Sequence, residues 1–340
     1  MSDRVIRTIE MHTGGEPTRI VVEGWPDFTA PTLLGKRREA REQHDHLRRA
    51  LMHEPRGHAE MYGALLVEPD HPEADLAVLF LHGEGYSTMC GHATIALARW
   101  AVDTGRVARV EPETAVRLQC PCGLVVAHVE VRDGKAGRVR FDSVPSFAFQ
   151  LDAIVLTQTW GPVHVDIGYG GAFYAILDAT TVGLDVRGSA LRDIVDAGEA
   201  IAEAAKKTLR LEHPDDPDLA YVYGTILTDG GIGAVNDGDW PGASRNICIF
   251  AGRQVDRSPT GSGVSARIAV QVARRQSKVG DVCAYESVTG ARFTARALSE
   301  TRAGRHRAVI VEVAGEAHYT GECTFRFEDD DRLKWGFHLR

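Results

Sequence analysis

A cysteine stands immediately before an almost unbroken apolar run in the stretch YSTMCGHATIALARW, residues 86–100. Cys90 is followed by Gly91 and His92, and residues 93–102 are apolar on nearly every face, which predicts a buried helix. The first N–H groups of a helix lack partners, and together with the helix dipole they stabilise anions, including a thiolate. The pattern therefore indicates either a reactive thiol beside a glycine that admits a ligand, or a small residue packed at a helix start.

A second segment of the same kind lies 170 positions later. In DRSPTGSG, Thr260 precedes Gly261 and Ser262, and residues 264–273 form another largely apolar run. Pro259 helps to fix the turn before this helix. Two helix starts that face one crevice would bind a carboxylate strongly. The alternative is that Thr260 is an ordinary N-cap, a position that threonine occupies well, and both interpretations can hold together.

The two halves of the chain share one order of elements. HTGGEPTRI and GYGGAFYAI each place a glycine pair in a strand-like run, and outer helices are predicted over residues 35–53 and 189–209. Strands, an inner apolar helix and further strands then follow in each half. This order predicts an α+β protein with two pseudo-symmetric α/β halves, each a curved β-sheet or barrel around a central helix, with the active site in the crevice between them. An ancient duplication is the hypothesis that explains it.

A length of 340 residues also favours two domains. The first is predicted to comprise residues 1–150 with about 325–340, and it carries Cys90. The second is predicted to comprise residues 151–324, and it carries Asp256 and Thr260.

Composition restricts the class of partner. The chain has 39 Lys and Arg against 47 Asp and Glu, a net charge of −8, which argues against nucleic acid. No signal-peptide core and no membrane-spanning apolar stretch is present, so we expect a cytoplasmic protein whose six cysteines are reduced. The histidine-rich stretch that contains His44, His46, His53 and His58 lacks the spacing of a metal triad, and we expect no metal.

Six segments together resemble the proline racemase family: MCGHATIAL, DRSPTGSG, HTGGEPTRI, EPRGH with MYGALL, FDSVPSF and YGGAFYAI. The resemblance extends over nearly the whole chain. It implies two α/β halves of the diaminopimelate epimerase type, a homodimer, and an active site that uses no cofactor or metal. In the racemases and hydroxyproline epimerases of the family, a cysteine opens each inner helix. One thiolate removes the α-proton, and the other thiol returns a proton on the opposite face.

This sequence departs from the family pattern at the second position, where Thr260 replaces a cysteine. A thiol, with an ordinary pKa of about 8.5, can be tuned to act as a base at neutral pH. An aliphatic hydroxyl needs a partner base, and DRSPT offers none of the usual kind beside it. Cys90 can still take the α-proton, but the carbanion then needs another way to react.

A leaving group on the adjacent ring carbon provides that way. The hydroxyl of 3-hydroxyproline is on that carbon, that of 4-hydroxyproline lies one carbon too far, and proline has none. The Cys-to-Thr pattern resembles the trans-3-hydroxy-L-proline dehydratases of the family. Loss of water would give Δ2-pyrroline-2-carboxylate, which tautomerises to Δ1-pyrroline-2-carboxylate. The hydroxyproline substrate is a small molecule, and no membrane partner is expected.

Stereochemistry assigns further roles. In the trans isomer the α-hydrogen and the hydroxyl share one ring face, so Cys90 is predicted to remove the proton and then protonate the hydroxyl. His92 or a water is the competing acid.

The resemblance implies further roles: Asp256 holds the ring nitrogen, and Phe250 lines the pocket or belongs to the core. The carboxylate cradle that the resemblance implies consists of the backbone amides of Gly91, His92, Gly261 and Ser262.

Two rival functions stay open at this point. The first is an isomerase, either a 4-hydroxyproline 2-epimerase or a proline racemase, and it requires a second base at position 260. The second is a non-catalytic amino-acid-binding protein of the same fold, for which a thiol at position 90 is unnecessary.

Overall fold

Strands make up most of the ordered elements in the computed structural model, which describes residues 4–235 and 242–339. The elements of the first part of the chain are β1 (Arg4–Thr13), β2 (Glu16–Glu23), α1 (Leu33–Gln43), α2 (Asp45–Met52), β3 (Tyr62–Val67), β4 (Leu76–His82), β5 (Gly85–Ser87), α3 (Gly91–Asp103), β6 (Glu113–Cys120), β7 (Gly123–Arg132) and β8 (Lys135–Asp142).

The elements of the second part are β9 (Ser146–Thr157), β10 (Gly161–Tyr169), β11 (Phe173–Asp178), α4 (Leu191–Thr208), β12 (Val222–Thr228), β13 (Ser244–Phe250), β14 (Gln254–Val255), α5 (Gly261–Ala273), β15 (Cys283–Glu286), β16 (Arg292–Ala303), β17 (His306–Gly315) and β18 (Ala317–Phe327). Two short 3₁₀ helices, Ala179–Val182 and Pro217–Leu219, flank α4.

Contacts divide the described chain into two compact units. The first unit comprises residues 4–88, 92–139 and 316–339, and the second comprises residues 89–91, 140–235 and 242–315. The tripeptide that contains Cys90 thus packs with the second unit. The predicted domain boundaries near residues 150 and 325 stay predictions, and residues 1–3 and 340 of the first predicted domain lie outside the described residues.

In the second unit, eight strands form a closed barrel. The strand order is β9–β10–β11–β12–β13–β15–β16–β17, and β17 pairs again with β9 through Ala308 and Phe147. Pairing is antiparallel except at β11–β12 and β13–β15. Helix α5 packs against strands around this ring, and every residue from 261 to 271 is buried. The predicted barrel around an inner helix is therefore confirmed in this unit.

In the first unit, the strands pair in the order β18–β1–β2–β3–β4–β6–β7. The two parallel pairs, β2–β3 and β4–β6, stand at the same places in this order as β11–β12 and β13–β15 do in the barrel. Residues 93–98 and 100–102 of α3 are buried, as the apolar run predicts. The predicted α+β class with two pseudo-symmetric halves is confirmed.

The outer helix of the first unit differs from the prediction. One helix was expected over residues 35–53, but α1 ends at Gln43 and α2 begins at Asp45. His44, at φ −123° and ψ 10°, interrupts the helix. In α2, Leu47 and Leu51 are fully buried in the core. The outer helix of the second unit, α4, agrees with its predicted bounds to within two residues.

Candidate active site

Two glycines bring the starts of α3 and α5 into contact. Gly91 and Gly261 are the first residues of these helices. A Cβ on Gly91 would lie 2.5 Å from the Cα of Gly261 and 3.1 Å from Cζ of Phe141. A Cβ on Gly261 would likewise lie 2.8 Å from the Cα of Gly91, so only glycine permits this approach. Cys90 and Thr260, each one residue before these glycines, therefore occupy one neighbourhood, and both are 5% exposed.

Thr260 adopts a backbone conformation that is unusual for a β-branched residue. Its φ of 66° and ψ of 82° lie in the left-handed region, where strain of this kind marks functional sites. The expected side-chain cap is not formed, because Oγ1 is buried without a hydrogen-bond partner among the described residues. The backbone carries the turn instead: Val264 N–H donates to Thr260 O over 2.7 Å, and Thr260 N–H donates to Ser258 Oγ over 3.1 Å.

Asp256 presents a buried carboxylate in the same turn. It is 5% exposed, and Ser258 N–H donates to Oδ1 over 2.7 Å. Burial raises the pKa of the Asp256 carboxyl to about 6, although Ser258 and the nearby Thr260 hydroxyl oppose that rise. Thr260 Oγ1 acts on this carboxyl by proximity, without hydrogen-bond geometry. Asp256 forms no ion pair with a described residue, so a cationic ligand group is the natural partner of its charge.

Asn246 and Arg267 hold the turn before α5 through hydrogen bonds. Asn246 Nδ2 donates to Pro259 O over 2.9 Å, and Arg267 Nη1 donates to Asn246 Oδ1 over 2.7 Å. Arginine can only donate, so it fixes the orientation of the asparagine amide. Arg267 Nη2 also donates to Ser244 Oγ over 2.7 Å and to Gly231 O. The strained backbone at Thr260 is thus held by a buried polar network that reaches from β13 to α5.

Tyr174 and Ser262 form a buried hydroxyl pair beside this turn, with their oxygens 2.7 Å apart. Burial raises the pKa of the Tyr174 phenol well above its usual range, and nearby Cys248, Cys90 and Asp256 act in the same direction. The contact with Ser262, the second residue of α5, places Tyr174 at the start of that helix and so among the residues of the candidate site.

His92 lies in the first unit, one residue beyond Gly91. Burial lowers the pKa of the His92 imidazole to about 3, so the ring is neutral. Its Nε2–H donates to Pro17 O over 3.2 Å, and Thr13 Oγ1 donates to His92 O over 2.9 Å. Burial outweighs the hydrogen bond to Pro17, which by itself raises the pKa, so no imidazolium is available as an acid at neutral pH.

The second unit gathers most of the predicted site residues: Cys90, Gly91, Asp256, Thr260, Gly261 and Ser262. Phe250 is 5% exposed, and its ring stacks on Tyr223 with centroids 5.3 Å apart. The sequence did not single out Tyr174, Asn246 or Arg267. For Tyr174 a signal existed, since it belongs to the segment YGGAFYAI, but no role could be read from it.

Among residues 4–235 and 242–339, no group of three or more His, Cys, Asp or Glu side chains is arranged to hold an ion. His46 packs against Trp335 and His53 against His338. In the same described ranges, no helix has the length and apolar character needed to cross a membrane. None of the six cysteines, all of them described, forms a disulfide.

Comparisons with known proteins agree on one family. The family model described as Proline racemase matches residues 8–338. The Trans-L-3-hydroxyproline dehydratase of Xenopus tropicalis is 53% identical, across 99% of this chain and 96% of that protein. The 3-hydroxyproline 2-epimerase of Burkholderia multivorans is 44% identical, across 99% of both.

Solved structures share the fold. A hydroxyproline epimerase from Agrobacterium vitis, with bound trans-4-OH-L-proline, superposes with a TM-score of 0.92 at 30% identity, covering 100% of this chain and 96% of that one. The relatives are thus named for two reactions, elimination and epimerisation.

Proposed function

Because this chain belongs to the proline racemase family, we propose that it is a trans-3-hydroxy-L-proline dehydratase. The observation that carries the proposal is the pairing of one thiol, Cys90, with one hydroxyl, Thr260, before two helix starts whose glycines touch. The family's isomerisation needs an acid and a base on opposite faces of one carbon. A site with a single thiol favours elimination.

Cys90 supplies the base in the proposed reaction. The N-terminal amides of α3 stabilise a thiolate at this position. Thr260 is unsuited to the same task, because the pKa of an aliphatic hydroxyl lies far above neutrality. Asp256 lies near that hydroxyl, but with a pKa of about 6 it is too weak a base to generate an alkoxide. In this proposal Thr260 lies on the face of the α-carbon where no proton is returned.

The elimination balances with Cys90 alone. The thiolate takes the α-proton, and the C–H electron pair forms the Cα–Cβ double bond as the bond to the 3-hydroxyl breaks. The thiol then gives its proton to the departing hydroxide, which leaves as water. Cys90 returns to the thiolate, and Δ2-pyrroline-2-carboxylate tautomerises to Δ1-pyrroline-2-carboxylate. No oxidant, reductant or other cofactor is required by this balance. Water is the other group that could protonate the departing hydroxide. The His92 ring is neutral, and its Nε2–H donates a hydrogen bond to Pro17 O.

The substrate's charges match the site. Its carboxylate would accept from the amides at the starts of α3 and α5, which carry the positive ends of the helix dipoles. The same donors would stabilise charge that spreads into the carboxylate as the α-proton leaves. The ring ammonium would pair with Asp256, the buried carboxylate for which no described residue supplies a cation.

The test uses three amino acids in heavy water: trans-3-hydroxy-L-proline, trans-4-hydroxy-L-proline and L-proline. The expected result is a cyclic imine from the first only. Absence of imine, together with deuterium at the α-carbon of 4-hydroxyproline, would contradict the proposal and favour the epimerase. Binding without any reaction would instead favour an amino-acid-binding protein.

An epimerase is the second candidate, and the 44% identity to the Burkholderia multivorans 3-hydroxyproline 2-epimerase is the observation in its favour. It requires a proton donor on the Thr260 face. Chiral analysis of the recovered substrate measures this activity directly. The homodimer and the cytoplasmic location stay predictions.

A further inference from the structure

The hydroxyl of Ser262 is arranged differently from that of its neighbour on the same helix. Ser265 Oγ donates back to Gly261 O over 3.1 Å, which is common for serine inside a helix. Ser262 is the second residue of α5, so the residue four positions before it is Ser258, outside the helix. Its described partner is Tyr174 Oη, 2.7 Å away.

The direction of this hydrogen bond follows from the acidity of the two groups. Either hydroxyl can donate across this contact, but a phenol is the stronger donor, which favours donation from Tyr174 to Ser262 Oγ. The Ser262 O–H is then left to donate to another group. Hydrogen bonds in such a chain strengthen one another, above all when the final acceptor is charged.

We infer that Tyr174 is a positioning residue that fixes the Ser262 hydroxyl as a donor to the substrate carboxylate at the start of α5. This inference rests on the proposed function, because that function brings a carboxylate to this helix start. It adds a side-chain donor to the backbone amides and identifies a strand residue, on β11, as a determinant of affinity for amino acids.

Packing holds the phenol in place. Tyr174 is fully buried, and its ring lies edge-on to Tyr223 with centroids 5.7 Å apart. Tyr223 stacks in turn on Phe250. Because burial raises the pKa of the phenol well above its usual range, Tyr174 keeps its proton and can donate at neutral pH. A phenylalanine would fit the same space and remove only the hydroxyl.

A double-mutant cycle tests the inference. L-proline carries the carboxylate and the ammonium but no 3-hydroxyl, so its Kd can be measured by calorimetry without dehydration. Tyr174→Phe is expected to raise this Kd about fivefold, the size of one buried hydrogen bond. Ser262→Ala is expected to raise it at least as much, and the double variant should match Ser262→Ala alone. Two outcomes would overturn the inference: an unchanged Kd in Tyr174→Phe, or the same further increase when Tyr174→Phe is added to Ser262→Ala.

Tyr285→Phe is the matched control, since it removes another fully buried phenol from the barrel, one that donates to Gln271 Oε1 over 2.9 Å. It should leave the Kd unchanged. With trans-3-hydroxy-L-proline, Tyr174→Phe should raise KM and change kcat less than twofold. Failure of the wild type to form imine would contradict the proposed function but not the cycle. Failure of the wild type to bind L-proline would overturn the inference itself.

Discussion

Asp256 carries a carboxylate that the fold has removed from water, and no described residue offers it a cation. Such a group destabilises the empty protein, because burial disfavours its charged form. Its retention is understandable if the cation arrives with the substrate. Stability and activity should therefore respond in opposite directions when this charge is removed.

Asp256→Asn tests that expectation. The raised pKa means that the folded protein binds more protons than the unfolded chain between about pH 4 and pH 6, so wild-type stability falls as pH rises through this window. Asparagine removes the fall and keeps the Oδ1 acceptor for Ser258. By urea unfolding at pH 7 the variant should be more stable by up to about 3 kcal/mol, with no difference near pH 4.

The KM of Asp256→Asn for trans-3-hydroxy-L-proline should rise at least about 100-fold, the size expected for a lost buried charge pair. A variant of unchanged or lower stability at pH 7 would contradict this account of Asp256.

Among individual residues, the sequence predicted those candidate site residues that lie in the two segments around positions 90 and 260. Cys90, Asp256 and Thr260 stand beside glycines and a proline in motifs whose local chemistry can be read directly. Tyr174 and Asn246 could not be assigned a role, because each lies inside a strand whose sequence does not show which residues its side chains contact. Only the pairing of those strands around α5 brings them to the helix start.

The elements that matter most are the two inner helices, whose predicted positions are confirmed by α3 and α5. The contact between Gly91 and Gly261 could not be predicted from either helix alone, because it depends on how α5 packs inside the barrel. The same holds for the break at His44, because the charged helical pattern continues through it although α1 ends at Gln43 and α2 begins at Asp45.

Replacing the hydroxyl at the second helix start by a thiol should restore the missing base. Thr260→Cys is expected to form D-proline from L-proline, which the wild type is expected not to form, if both helix starts face one α-carbon. Cysteine is not β-branched, so the left-handed backbone should be less strained by it. Chiral chromatography of the product measures the reaction.

Ser265→Cys provides the control, because it adds a thiol to the same helix one turn further along and should produce no D-proline. If Thr260→Cys folds with the wild-type stability and also forms none, the two-sided arrangement of the site is refuted.

The whole molecule repeats one topology in its two units. Each has an antiparallel hairpin, a parallel pair, a second hairpin and a second parallel pair in the same order. The recurring glycine-pair strands and apolar helices were sufficient to predict this order. Closure of the barrel could not be predicted from the sequence, because it depends on the pairing of Ala308 with Phe147, which are 161 positions apart. An ancient duplication stays the hypothesis that would account for two helix starts in one chain.

Imine formation from trans-3-hydroxy-L-proline by the wild type and by Cys90→Ser tests the central claim most directly. Cys283→Ser is the control, since it replaces another buried thiol of the barrel. The wild type and Cys283→Ser should both form the imine rapidly. Folded Cys90→Ser should lose about 10²–10⁴-fold in kcat, as expected when a general base is removed. A Cys90→Ser variant that forms imine at the wild-type rate would contradict the central claim.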